Sequence, residues 1–175
     1  MGLRILFVDD EFADDTEDQL GSYMSYYDLE LKEHSHQVTR SKSTDDAYGY
    51  IDHYVRELTG NGHRVDVANS VDKAAQLHLS QEFDLVILDV MMPPGKLLAN
   101  EDTGNGVFTG LILAKRIREK CPDLPIILLS NVAGKTLEFQ VVLEQGIVTM
   151  ALSKLQTTPS DLASIISNEI SRRKA

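Results

Sequence analysis

Asp9, Asp10, Asp89, Ser130 and Lys154 are the residues whose types and positions could share one piece of chemistry. Asp9 and Asp10 follow the β-rich run Leu3-Arg4-Ile5-Leu6-Phe7-Val8, and Asp89 follows Leu85-Val86-Ile87-Leu88. Ser130 closes Ile126-Ile127-Leu128-Leu129, and Lys154 ends the run that begins at Ile147. Three carboxylates brought within about 4 Å repel by roughly 4 kcal/mol per pair at an effective dielectric near 20, so the group needs a cation. Lys154 supplies one charge and leaves a carboxylate excess. Oxygen ligands without His or Cys select a hard ion such as Mg²⁺, which keeps waters and favours phosphate partners. A carboxylate nucleophile, a divalent ion, a lysine and a hydroxyl suit phosphoryl transfer, in which positioning and charge neutralisation supply most of the catalysis.

Such a group requires elements that deliver its members to one edge. Leu85 to Leu88 is too short for a globular helix and too uninterrupted for a strand with one wet face, so it predicts a strand covered on both sides. Asp89 then sits at the strand's exit, where an open parallel sheet has its ligand crevice. Pro93 and Pro94 fix the outgoing chain and hold the following loop off Asp89.

Helical patterns separate the runs. Ser43 and Asp46 resemble a capping box ahead of Ala47, Tyr48, Ile51, Tyr54, Val55 and Leu58, and Gly60-Asn61-Gly62 ends that helix. His63 to Ala68 alternates as a strand, and Ser70 caps a helix carrying Val71, Ala74, Ala75, Leu77 and Leu79. A long loop from about Met91 to Asn105 leads to a helix with Val107, Leu111, Ile112, Ala114 and Ile117 on its inner side. Ala133 to Gln145 predicts a helix closed by Gly146, and Ile147 to Lys154 a fifth strand. Pro159 opens a last helix with Leu162, Ile165, Ile166 and Ile170 inward and Arg172, Arg173 and Lys174 at its carboxyl end. The alternation implies right-handed crossovers and an α/β fold, a doubly wound five-stranded parallel sheet with helices on both faces.

Residues 11 to 42 carry acids at Asp14, Asp15, Glu17 and Asp18, followed by Tyr23, Tyr26 and Tyr27. Leu20, Tyr23, Met24, Tyr27 and Leu31 match a helix, while Leu29 and Leu31 alternate as in a strand, so both readings stand. With no Pro and one Gly, the stretch predicts an ordered insertion, its acids a solvated surface.

The formal net charge of -10 argues against nonspecific binding to nucleic acid or anionic membrane. Lys115, Arg116, Arg118 and Lys120 form a basic run that reads as a solvated helix face. The lone Cys121 can form neither an internal disulfide nor a CxxC metal site, which fits a structural thiol in a reducing compartment. Neither a membrane span nor a secretory leader is evident, and the expected location is cytoplasmic. His34 and His36 have no third ligand, and Gly104 and Gly106 follow a loop where a dinucleotide fingerprint needs a strand.

The acidic pair after strand one, Leu88-Asp89-Val90-Met91-Met92-Pro93, the strand-four Ser130 and the strand-five Lys154 together resemble the receiver domain of two-component response regulators. The resemblance covers nearly the whole chain apart from residues 11–42 and the loop of about 93–105. It implies a flavodoxin-like sheet of order 2-1-3-4-5 and one receiver domain over 1–175. It also implies that Asp89 accepts a phosphoryl group from a sensor histidine kinase or histidine phosphotransfer protein. Asp10, Asp9 through water, Asp89 and the backbone carbonyl of Met91 would hold Mg²⁺, while Ser130 and Lys154 would contact the phosphoryl oxygens. A module of this kind signals by protein contact and is no enzyme beyond promoting its own phosphorylation and dephosphorylation. Ala151 stands where receivers usually carry Tyr or Phe, and Leu155 where a proline follows the lysine. One alternative is a receiver-like interaction domain independent of phosphate. Another, an aspartate-nucleophile phosphohydrolase, needs a second acid where Met91 stands.

Overall fold

A strand without a polar residue is stable only when both of its faces are covered, and Leu85–Leu88 is buried throughout. The structure, a computed structural model, describes residues 2–12, 45–131 and 137–174. Expectations for Ser43, for the acids and histidines between 13 and 44, and for the start of the helix at Ala133 lie outside those residues. The strands are β1 (Arg4–Val8), β2 (Arg64–Ala68), β3 (Leu85–Leu88), β4 (Ile126–Ser130) and β5 (Met150–Ser153). All neighbours pair in parallel in the order β2-β1-β3-β4-β5. The helices are α1 (Asp45–Gly60), α2 (Val71–Ser80), α3 (Thr109–Lys120), α4 (Leu137–Glu144) and α5 (Pro159–Lys174).

Alternation of side chains along each strand divides the core into two layers. Leu6, Val8, Val86, Leu88, Ile126 and Leu128 pack with apolar residues of α2, α3 and α4. Ile5, Phe7, Leu85, Ile87, Ile127 and Leu129 pack with Ile51, Tyr54, Val55 and Leu58 of α1 and Leu162, Ala163 and Ile166 of α5. The edge strands β2 and β5 are mostly half-buried, which is why His63 to Ala68 alternates while β3 and β4 run continuously apolar.

Local chemistry sets the helix ends. Ser70 caps α2 by accepting from Lys73 N at 3.3 Å. Thr158 and Asp161 form a reciprocal cap at the start of α5, with Asp161 N donating to Thr158 Oγ1 at 3.2 Å and Thr158 N donating to Asp161 Oδ2 at 2.9 Å. Gly62, at φ 83°, takes the left-handed position after α1.

Two expected boundaries shift. The fifth strand runs from Met150 to Ser153 and not from Ile147 to Lys154: Ile147 N and Val148 N turn back to the carbonyl of Val142 and close the end of α4, and Lys154 lies in the turn beyond the strand. α3 begins at Thr109, so Val107 is a loop residue, 37% exposed, and not part of the inner helical face. Gly104, Asn105 and Gly106 all have positive φ (58°, 56° and 94°), a run that no α-helix contains.

The loop between β3 and α3 is packed into the fold. Leu98 is fully buried with Met92 in the α2–α4 layer. Both carboxylate oxygens of Asp72 accept from the loop, from Lys96 N and Leu97 N at 2.8 Å each. Arg116 pairs with Glu101 at 2.6 Å. The loop also turns back on its own start, with Met92 N donating to Gly106 O at 3.2 Å. A Cβ on Gly110 would meet Asp89 O at 2.0 Å, so only glycine lets α3 start this close to the end of β3. Leu98→Ala is expected to lower stability by about 2–5 kcal/mol through the cavity it leaves, measured by urea unfolding; an unchanged midpoint would mean that the loop is not part of the core.

Candidate phosphoryl-transfer site

The register of the sheet brings the acids together. Val8 is level with Leu88, and Asp89 N donates to Val8 O at 2.8 Å, so Asp9 and Asp89 leave adjacent strands at the same height. Asp9 N donates to Ala68 O at 2.9 Å, which ties the exit of β1 to β2. Asp9 and Asp89 are buried, whereas Asp10 is exposed at the rim. Oxygens of the three carboxylates lie within 4.8 Å of one another.

Lys154 closes the group from the far side of the sheet. Its Nζ is 2.8 Å from Asp9 Oδ2, 3.0 Å from Asp89 Oδ2 and 3.6 Å from Glu11 Oε1. The residue is only 4% exposed, so its ammonium depends on these carboxylates to offset lost hydration. Its backbone N donates to Ser130 O at 3.2 Å, joining the ends of β4 and β5. Ser130 is fully buried, and its Oγ has no hydrogen-bond partner among the described residues. A hydroxyl so placed is a donor awaiting an acceptor. Met91 follows in the turn after β3, where Asp89 Oδ1 accepts from Val90 N at 2.5 Å and from Met91 N at 3.4 Å. That turn fixes the Asp89 carboxylate with one oxygen on the backbone and the other on Lys154.

The donor set fits a hard divalent ion. It is all oxygen, holds three acids against one lysine, and has an exposed member, Asp10, through which an ion can enter. Burial, reinforced by the charge of Asp89, raises the Asp9 carboxyl to about 7 despite the opposing effect of Lys154. Burial and Asp89 raise Asp10 as well. For Lys154, burial alone would lower the pKa, but the charges of Asp9 and Asp89 reverse this and hold it above the ordinary lysine value.

Sequence reasoning missed two participants. Glu11 follows the acidic pair directly, and its side chain also faces Lys154. Tyr54 was assigned to an apolar helix stripe; the available signal was its hydroxyl, which a buried tyrosine must satisfy. The basic run on α3 is only partly a solvated face. Lys115 and Lys120 are exposed, but Arg116 pairs with Glu101 and Arg118 Nε donates to Ile147 O at 3.0 Å. Cys121 is a free, half-buried thiol at the carboxyl end of α3, with Sγ 3.6 Å from His78 Nε2. No helix among the described residues is long and apolar enough to cross a membrane.

The raised Asp9 carboxyl gives the stability a definite sign against pH. Between the ordinary aspartate value of 3.8 and about 7, the folded chain retains a proton that the unfolded chain has released. Asp9 therefore contributes most below the lower value, and its contribution falls as pH rises towards 7. Urea midpoints measured from pH 4 to 7 without divalent ions should decline more steeply for wild type than for Asp9→Asn; parallel profiles would contradict the assignment.

The sequence family described as response regulator receiver domain matches residues 43–166. β1, with Asp9 and Asp10, precedes the matched stretch and is inserted between β2 and β3 by the sheet. A CheY-like receiver domain protein from Methanospirillum hungatei JF-1 is 17% identical, with a TM-score of 0.61 over 99% of this chain and 98% of that one. The chemotaxis response regulator CheY4 of Vibrio cholerae is 18% identical, with a TM-score of 0.57 over 96% and 98% of the two chains. The BeF3-activated DrrB receiver domain is 18% identical, with a TM-score of 0.56 over 98% and 99%. These likenesses show the fold, the flavodoxin-like arrangement of CheY. No curated protein matches the sequence. The chain belongs to the response regulator receiver family, the receiver domains of two-component systems.

Proposed function

We propose that this chain accepts a phosphoryl group on Asp89 from a histidine kinase or histidine phosphotransfer protein, and that it signals by protein contact. The observation that carries the reading is the buried ammonium of Lys154, 2.8 Å from Asp9 and 3.0 Å from Asp89, beside three carboxylates within 4.8 Å. Structural support comes from the shared fold with a receiver that is BeF3-activated.

In this reading a carboxylate oxygen of Asp89 bonds to phosphorus while the P–N bond of the donor phosphohistidine breaks, and the donor imidazole leaves with that electron pair. The product is an acyl phosphate on Asp89. Lys154 exchanges its contact with Asp89 for one with a phosphoryl oxygen, and its charge offsets the charge delivered. Ser130 donates its unused hydroxyl to another phosphoryl oxygen and moves the start of the loop after β4 as it does so. Asp9, Asp10, Asp89 and the carbonyl of Met91 would hold Mg²⁺, which when bound neutralises phosphoryl oxygens. The chain then works as one receiver domain over 1–175, with residues 11–42 an insertion and 93–105 an extension of the loop after β3.

A second reading, a receiver-like interaction domain that needs no phosphate, draws on Ala151, which is half-buried and offers no aromatic ring for a switch. The intact acids, Ser130 and Lys154 favour the first. Intact-mass measurement after acetyl phosphate treatment separates them. Wild type should gain the mass of one phosphoryl group only with Mg²⁺, and Asp89→Asn should gain none. A wild-type mass unchanged in Mg²⁺, or an equal gain in Asp89→Asn, would reject Asp89 as the acceptor.

A further inference from the structure

Lys154 leaves β5 on a turn closed by backbone hydrogen bonds to a single carbonyl. Ser153 O accepts from Gln156 N at 3.0 Å and from Thr157 N at 2.9 Å, and Leu155 points outward, 75% exposed. No pyrrolidine ring fixes φ at that position. The long side chain of Lys154 can hold Nζ between Asp9 and Asp89 only as well as its backbone is held.

Tyr54 supplies that hold from the opposite layer. It is fully buried in α1, with its ring edge-on to Phe7 of β1 at 6.4 Å between centroids, and Phe7 is edge-on to Phe12 at 5.3 Å. The wedged ring aims its hydroxyl at the β5–α5 turn, where it donates to Thr157 O and lies 3.5 Å from Lys154 O. The turn that carries Lys154 is thus held at two points, Lys154 N by Ser130 O of β4 and Thr157 O by the Tyr54 hydroxyl of α1. A purely apolar ring at this place would fill the core equally well and leave Thr157 O without its donor.

We infer that Tyr54 is a positioning residue for phosphoryl transfer, acting on Lys154 through the backbone of the β5–α5 turn. The inference rests on Asp89 being the phosphoacceptor. The hydroxyl of Tyr54 is directed to the β5–α5 turn and not to the acids on β1 and β3 that would hold the divalent ion. Its removal therefore separates rate from ion binding, because a misplacement of about 1 Å at a catalytic group costs up to about a hundredfold.

Tyr54→Phe keeps the ring and deletes the hydroxyl. With acetyl phosphate and Mg²⁺, the rate of phosphorylation read by intact mass should fall about tenfold, with half-saturation by Mg²⁺ unchanged. In the same variant without donor, amide exchange at Gln156 and Thr157 should quicken relative to wild type. A full rate, a rate loss matched by an equal loss of Mg²⁺ affinity, or unchanged exchange would each overturn the inference. If wild type itself takes no phosphate, the reading of Asp89 fails and the inference goes with it. If wild type is phosphorylated and Tyr54→Phe matches it, only the role of Tyr54 fails.

Discussion

A protonated lysine, 4% exposed, held between two buried aspartates is the constraint on which the rest of this site depends. Without Lys154, Asp9 and Asp89 would stand side by side in a poorly hydrated crevice with like charges. Without the acids, burying the ammonium would carry its full desolvation cost. The pair is also incompletely neutral, since Asp10 and Glu11 add acid at the rim. The excess negative charge makes the pocket receptive to a divalent ion.

The sheet makes this arrangement cheap in sequence. Parallel strands in the order β2-β1-β3-β4-β5 put every strand exit on one edge, so residues from four strands distant in the chain meet with no special loop to carry them. The central strands supply rigidity through burial on both faces. The loop after β3 then adds a feature of this chain: it folds back over α2 and α3, held by Asp72 and Glu101, and buries Leu98. Its far end is tied back to Val90 and Met92, directly beyond Asp89, through Gly110 N and Gly106 O.

Legibility in the sequence followed the strength of the local signal. Apolar runs without interruption identified β3 and the part of β4 before Ser130, because both faces of these strands are covered. The convergence of Asp9, Asp10, Asp89, Ser130 and Lys154 was read from their places at the exits of parallel strands. The starts of α3 and β5 were not legible, since the apolar residues Val107, Ile147 and Val148 fit a periodic pattern whichever side of the boundary they fall on. Backbone geometry decided those cases, through the left-handed run at Gly104–Gly106 and the closing of α4 by Ile147 and Val148. Tyr54 was hidden for another reason: periodicity reports which face a residue is on, not what its polar tip reaches across the core.

Lys154 acts electrostatically on the acids of β1 and β3 and does not merely lie near them. The direct measurement is an NMR titration of the Asp9 side-chain carboxyl carbon, without divalent ions, in wild type and in Lys154→Met. Loss of the ammonium should move the Asp9 midpoint upward from about 7, because the charge that opposes burial is gone. An Asp9 midpoint identical in the two proteins would contradict the central claim.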